Sequence, residues 1–179
     1  MTKQVTLISN NLLNMMIQRL CKQLIENHKD FTNSLLVGLQ PRGTFLCERI
    51  VAELVAMGVQ VKHGVVDPTF YRDDFRIHEK PLVAKSTYLP ENIDGMRVVL
   101  IDDVLFTGRT IRAGMESLME YGRPKNIELL VLIDRKKGRE IPVEANYVGK
   151  EVESLKNERV KVLWKKEGAK EDHVIFLNE

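Results

Sequence analysis

Two adjacent acids, Asp102 and Asp103, end an apolar run and are followed closely by Thr107, Gly108, Arg109 and Thr110. Carboxylates accept hydrogen bonds from sugar hydroxyls, and threonine hydroxyls donate to anions. The segment Val98 to Thr110, VVLIDDVLFTGRT, predicts a buried strand, an acidic end and a turn into a helix. Unsatisfied amides at such a helix start, together with the helix dipole, favour a phosphate. Gly108 allows the backbone to come close to it. Acids beside phosphate donors suit a sugar phosphate.

Other readings of these residues are narrower. Two acids and a threonine can simply cap a helix. The segment lacks the glycine spacing and the Gly-Lys-Ser/Thr ending of a Walker A loop, and it is not a dinucleotide fingerprint. His28, His63, His78 and His173 have no nucleophile or metal constellation around them in sequence and read as surface or packing residues.

The elements that must position this segment are visible on either side of it. After Ser9, Leu13, Met16, Ile17, Leu20 and Leu24 recur at helical spacing along one face. Ser34 to Leu39 reads as a buried strand that breaks at Pro41-Arg42-Gly43 into a second helix, with Leu46, Ile50 and Leu54 inward and a stop near Gly58. A strand over Val59 to Val66 leads into Asp67 to Pro81, a charged stretch with two prolines that reads as a flexible lid. Arg97 to Ile101 predicts a strand, Thr110 to Tyr121 a helix closed by Gly122, and Ile127 to Ile133 another strand. This alternation predicts an α/β fold: a mainly parallel sheet with helices on both faces. Beyond Asp134, apolar fragments at Tyr147-Val148, Val160 to Leu163 and Val174 to Leu177 predict a smaller, less regular part. Ligands of open α/β sheets gather outside the carboxyl ends of strands, where Asp102 and Asp103 project.

At 179 residues the chain predicts one domain over 1–179. Lys+Arg 27 against Asp+Glu 25 is too even for a dedicated nucleic-acid binder. Cys21 and Cys47 stand far apart without ligand-spaced histidines, so they predict packing residues rather than a disulfide or zinc site. No run approaches membrane-spanning length, which makes a cytoplasmic protein the expectation.

The acidic segment resembles the phosphoribosyl pyrophosphate motif of type I phosphoribosyltransferases. Val104 to Thr110, then Arg112-Ala113-Gly114-Met115 and Gly122-Arg123-Pro124, resemble the PyrR branch, regulators of pyrimidine operons that also act as uracil phosphoribosyltransferases. Tyr71 to Asp74, Val131 to Arg135 and Tyr147 to Lys150 extend the likeness over most of the chain. The resemblance implies that Asp102 and Asp103 hold the ribose hydroxyls and that Thr107, Gly108, Arg109 and Thr110 hold the 5-phosphate. Leu39, Gln40, Pro41, Arg42 and Gly43 become the pyrophosphate loop, with a cis peptide at Leu39-Gln40. Tyr71, Arg72 and Asp73 fall in the lid. Asp134, Arg135, Val148, Gly149 and Lys150 read the base from a hood built mainly from 134–179, with an N-terminal contribution.

The activity implied is transfer of phosphoribose from phosphoribosyl pyrophosphate to uracil, giving UMP and pyrophosphate, in a homodimer or larger homo-oligomer. Asp102 and Asp103 would stabilise the developing sugar cation, and Arg42 and the loop amides the leaving pyrophosphate. Magnesium would be held mainly by phosphoribosyl pyrophosphate and water, so no protein ligand is assigned. Two alternatives remain: a UMP-sensing RNA attenuator with little catalysis, and a purine phosphoribosyltransferase. For RNA, Arg19, Lys22, Lys136, Lys137 and Arg139 could form a basic patch. Gln18 and Lys22 stand where the family has threonine and histidine, and Glu144 where it has arginine. A carboxylate there would repel a phosphate.

Overall fold

The computed structural model describes residues 3–73, 86–89, 92–154 and 158–178. The lid expected over Asp67 to Pro81 therefore lies within the described residues only as far as Asp73, and Asp74 and His78 lie outside them.

Strands β2 (Ser34–Leu39), β3 (Lys62–Val66), β4 (Arg97–Leu105), β5 (Asn126–Arg135) and β6 (Tyr147–Val152) form a five-stranded parallel sheet in the order β3-β2-β4-β5-β6. Alternate residues serve two cores. Leu36, Val99, Ile101, Leu130 and Leu132 pack with helices α1 (Asn10–His28) and α2 (Gly43–Ala56). On the other face Leu35, Val37, Leu39, Val98, Leu100 and Val131 pack with Ile111 and Leu118 of α3 (Arg109–Met119). The sequence expectation of a parallel sheet with helices on both faces is what forms, because every central strand must bury both its sides.

A second, antiparallel sheet in the order β1-β8-β7 takes β1 (Lys3–Ile8) from the amino end and β7 (Glu158–Leu163) and β8 (His173–Asn178) from the other end of the chain. β1 was not visible in the sequence. Its Val5 is about half exposed, so its pattern carries little apolar signal.

Several boundaries move for local reasons. β3 starts at Lys62 rather than Val59, because Val59 N–H is used to close α2 on the Leu54 carbonyl at 2.9 Å, with Gly58 at φ +83°. α3 ends at Met119, two residues before Tyr121. β4 runs on to Leu105, so Asp102 and Asp103 lie inside the strand, 7% and 6% exposed. Cys21 and Cys47 are free and buried, and burial pushes each thiol up to about 12, which leaves both inert as nucleophiles. Among the described residues, no helix is long and apolar enough to cross a membrane.

Candidate active site

The strand order reverses between β2 and β4. β2 leads through α2 to β3 on one side, and β4 leads through α3 to β5 on the other. Loops that leave adjacent strands in opposite directions open a crevice at their carboxyl ends. The loop 40–43 and the acids of β4 meet there.

Gly43 makes this approach possible. A β-carbon on it would lie 2.2 Å from the Ile101 carbonyl oxygen and 2.9 Å from Asp102 Cα, so only glycine lets the loop press on β4. Gln40 is tied at both ends, its N–H donating to the Val66 carbonyl at 2.9 Å and its Nε2 to the Ser86 carbonyl at 2.7 Å. The expected cis bond at Leu39-Gln40 is corrected. The cis bond lies one peptide on, at Gln40-Pro41, where proline's tertiary amide disfavours cis least.

Arg42 reaches from this loop to Asp103, with Nε 3.5 Å from Oδ2. Asp103 N–H donates to Asp102 Oδ1 at 2.9 Å. Burial raises the pKa of both acids, well above the ordinary range for Asp102, where the neighbouring Asp103 charge adds to it. Arg42 opposes the rise at both, and Arg72 also opposes it at Asp102. Asp103 Oδ2 and Arg42 Nε are buried without hydrogen bonds. Buried carboxylates with unused oxygen capacity are poised for a ligand that brings donors or positive charge.

Beyond β4, Gly108 caps α3 at φ +89° and sits 3.1 Å, measured from a hypothetical β-carbon, from Ile141. The Thr107 carbonyl accepts from the N–H groups of Glu140 and Ile141, both at 2.9 Å. Phe106 is held by its neighbours as well: the Arg135 guanidinium lies 3.6 Å over its ring, and Arg139 donates to its carbonyl. The segment 138–141 thus braces the turn, a role for which periodicity gave no signal. Arg109 pairs with Glu140 at 2.7 Å and with Asp73. Arg112 Nη2 donates to the Tyr71 carbonyl at 3.0 Å, so Tyr71 and Asp73 are both tied to α3.

The residues expected to read the base divide into two groups. Asp134, the next-to-last residue of β5, is paired across the sheet with Leu105 and neutralised by Arg139 and by Lys136 at 3.4 Å. Arg135 donates to Ser154 Oγ at 2.7 Å and to the Glu158 carbonyl at 2.8 Å. Val148, Gly149 and Lys150 lie on the edge strand, where Arg19 of α1 donates to the Val148 and Gly149 carbonyls at 3.2 and 2.5 Å. A β-carbon on Gly149 would stand 2.4 Å from the Leu132 carbonyl oxygen, so this strand is pressed hard against β5. The described contacts link these three residues to α1 and β5 and do not link them to the acidic pair.

The donor set suits a hard cation carried in by its ligand. Asp102 and Asp103 offer carboxylate oxygens, one of them without a hydrogen bond, while no group of three or more His, Cys, Asp or Glu forms a cage among the described residues.

The chain matches the family described as phosphoribosyl transferase domain over residues 6–165. It is 41% identical over 181 aligned residues to a protein of Listeria monocytogenes named bifunctional protein PyrR, with 98% of each chain covered. A PyrR protein of a Geobacter species is 43% identical over 147 residues, covering 82% of each. The fold of this chain is similar to that of a hypoxanthine phosphoribosyltransferase of Staphylococcus aureus, with TM-score 0.66, 19% identity and 87% and 80% of the two chains covered. The Trypanosoma cruzi hypoxanthine phosphoribosyltransferase in complex with IMP gives TM-score 0.66 at 18% identity, covering 82% and 78%.

Proposed function

Because the chain belongs to the phosphoribosyltransferase family, and within it to the PyrR proteins, we propose that it transfers phosphoribose from phosphoribosyl pyrophosphate to uracil. The observation that carries this reading is the meeting of Arg42, the Asp102-Asp103 pair and the Thr107 to Thr110 turn at one switch point. Thr107 to Thr110 take the 5-phosphate at the start of α3, and the acids take the ribose hydroxyls. A ring nitrogen of uracil forms a bond to the anomeric carbon as the bond to pyrophosphate oxygen breaks.

Positive charge develops on the sugar beside Asp102 and Asp103, and negative charge on the leaving group beside Arg42 and the amides of loop 40–43. Magnesium would be held mainly by the diphosphate and water and would neutralise charge on the leaving group, with Asp102 and Asp103 as the neighbouring protein carboxylates. Tyr71, Arg72 and Asp73 form the root of a lid that excludes water. The three-stranded sheet serves as the hood, and Asp134 and Arg135 at the end of β5, with Val148 to Lys150 of β6, discriminate the base.

Incubation of the purified protein with phosphoribosyl pyrophosphate, magnesium and each free base tests this directly. UMP from uracil is the expected product. Nucleotide from hypoxanthine or guanine, with none from uracil, would replace the pyrimidine assignment by the purine one.

A second reading, a UMP-responsive RNA regulator acting as a homo-oligomer, is supported by the likeness to relatives named bifunctional. The basic residues weigh against a broad patch: Arg19 holds the β6 carbonyls, Lys136 pairs with Asp134 and Glu151, Lys137 with Glu153, and Arg139 with Asp134. Binding of a pyrimidine-operon leader RNA with a steep salt dependence would support that role.

A further inference from the structure

Three of the buried polar side-chain atoms that lack hydrogen bonds belong to Arg42, Asp103 and Trp164. They mark the place where loop 40–43 meets the end of β7. Arg42 Nη2 donates to the Val162 carbonyl and to Glu167 Oε2, the latter at 2.9 Å, while Nε faces Asp103 Oδ2 at 3.5 Å. One guanidinium is thus placed between two carboxylates of different standing. The Asp103 side chain is 9% exposed and fixed in the sheet, whereas that of Glu167 is 39% exposed at the protein surface.

Glu167 is not held there by chance packing. It ends a short 3-10 turn, Lys165–Glu167, that starts from the fully buried Trp164 and closes at Gly168 with φ +94°. The anchored turn directs a carboxylate to the outer edge of Arg42. A guanidinium presents its N–H groups in a rigid fork that fits a carboxylate or a phosphate, and two anions cannot take the same N–H groups together.

We propose that Glu167 sets the affinity of the diphosphate site: its carboxylate occupies the edge of Arg42 that a diphosphate takes, and the incoming diphosphate displaces it. The proposal rests on the reading that Arg42 receives the diphosphate. No covalent step is involved. Part of the binding energy of the diphosphate is used to release Glu167, so both phosphoribosyl pyrophosphate and the product pyrophosphate bind less tightly than an unpaired Arg42 would allow.

Calorimetric titration with magnesium pyrophosphate, on wild type, Glu167→Gln, Arg42→Met and the double variant, tests this. Glu167→Gln is expected to bind about two- to fivefold tighter, the scale of a partly exposed ion pair. KM for phosphoribosyl pyrophosphate should fall by the same factor while KM for uracil stays put. The gain should vanish in the Arg42→Met background, since a double-mutant cycle isolates the pair. Glu171→Gln, which removes an equal charge from the same region, should give no gain. Glu167→Gln binding no tighter than wild type, or a gain that survives Arg42→Met or is matched by Glu171→Gln, overturns the proposal and leaves the functional reading intact. A wild type that binds magnesium pyrophosphate no better than Arg42→Met removes the assignment of Arg42 and the proposal with it.

Discussion

The two ends of the parallel sheet each bury acids, and they treat them in opposite ways. At the carboxyl end Asp102 and Asp103 stand side by side, raised by burial, with Asp103 Oδ2 short of a hydrogen bond and faced by Arg42 Nε at 3.5 Å. At the amino end Glu128, 8% exposed, accepts from Tyr147 at 2.7 Å, Arg97 at 2.8 Å and Asn126 at 2.9 Å, with His28 at 3.1 Å. His28 in turn meets Ser34 at 2.8 Å. Burial alone would raise Glu128, but Tyr147, Arg97 and His28 outweigh it and hold the carboxyl down to about 2. The Ser34, His28 and Glu128 arrangement looks like hydrolytic machinery only in residue types, because Ser34 is 3% exposed and no substrate can reach its hydroxyl. An acid with every oxygen satisfied braces the fold, and an acid left short of partners waits for a ligand.

The largest effect expected from this contrast is at the carboxyl end. Asp103→Asn should lower kcat/KM about 30- to 1,000-fold, roughly 2–4 kcal/mol of transition-state stabilisation. Thermal stability should stay level or rise, because a poorly solvated charge is removed. Unchanged turnover with intact folding would refute the catalytic role.

Glu128→Gln is expected to do the reverse, costing about 1–3 kcal/mol of stability by weakening a charged acceptor of several donors, with kcat per folded molecule unchanged. Its pH signature has a definite sign. A carboxyl depressed from 4.5 to about 2 contributes stability that is complete above pH 4.5 and is lost as the pH falls toward 2. Raised acids act oppositely, since stability falls as pH climbs from 3.8 toward their folded values. Denaturant titrations across pH should therefore show a flatter acid limb in Glu128→Gln and a smaller decline toward neutrality in Asp102→Asn.

A third expectation concerns the turn beside the acids. Gly108→Ala places a β-carbon at φ +89° and 3.1 Å from Ile141, which costs roughly 1–2 kcal/mol and displaces the amides of the turn proposed to hold the 5-phosphate. KM for phosphoribosyl pyrophosphate should rise about tenfold, the equivalent of 1.4 kcal/mol, and that for uracil much less. Equal loss for both substrates would place the damage in global folding instead.

How much of this was readable beforehand follows from distance along the chain. The acids, turn and following helix are contiguous, so the strand-turn-helix around Asp102 to Thr110 was legible in the sequence. Loop 40–43 was recognisable from its motif, but its pressing against Ile101 depends on a parallel pairing that periodicity does not specify. The Arg42 contacts with Val162 and Glu167 join residues more than a hundred positions apart, and no local signal could have revealed them. The amino-end network was equally hidden. His28 lies at the end of α1, where its burial looks like an ordinary helix face until β5 and β6 bring Glu128 and Tyr147 to it.

The smallest effect expected is at Arg109, which the motif alone would make a principal phosphate ligand. Its side chain is 48% exposed and already shared between Glu140 and Asp73, so its charge is largely neutralised where a phosphate would meet it. Exposed pairs of this kind are worth less than about 1 kcal/mol. The amides of the turn and the hydroxyls of Thr107 and Thr110 do not depend on that charge. Arg109→Ala should therefore raise KM for phosphoribosyl pyrophosphate by no more than about fivefold with kcat unchanged, a far smaller loss than at Asp103. A loss comparable to Asp103→Asn would mean that Arg109 leaves Glu140 and Asp73 to bind the substrate, and that the cations of this end are as available as its acids.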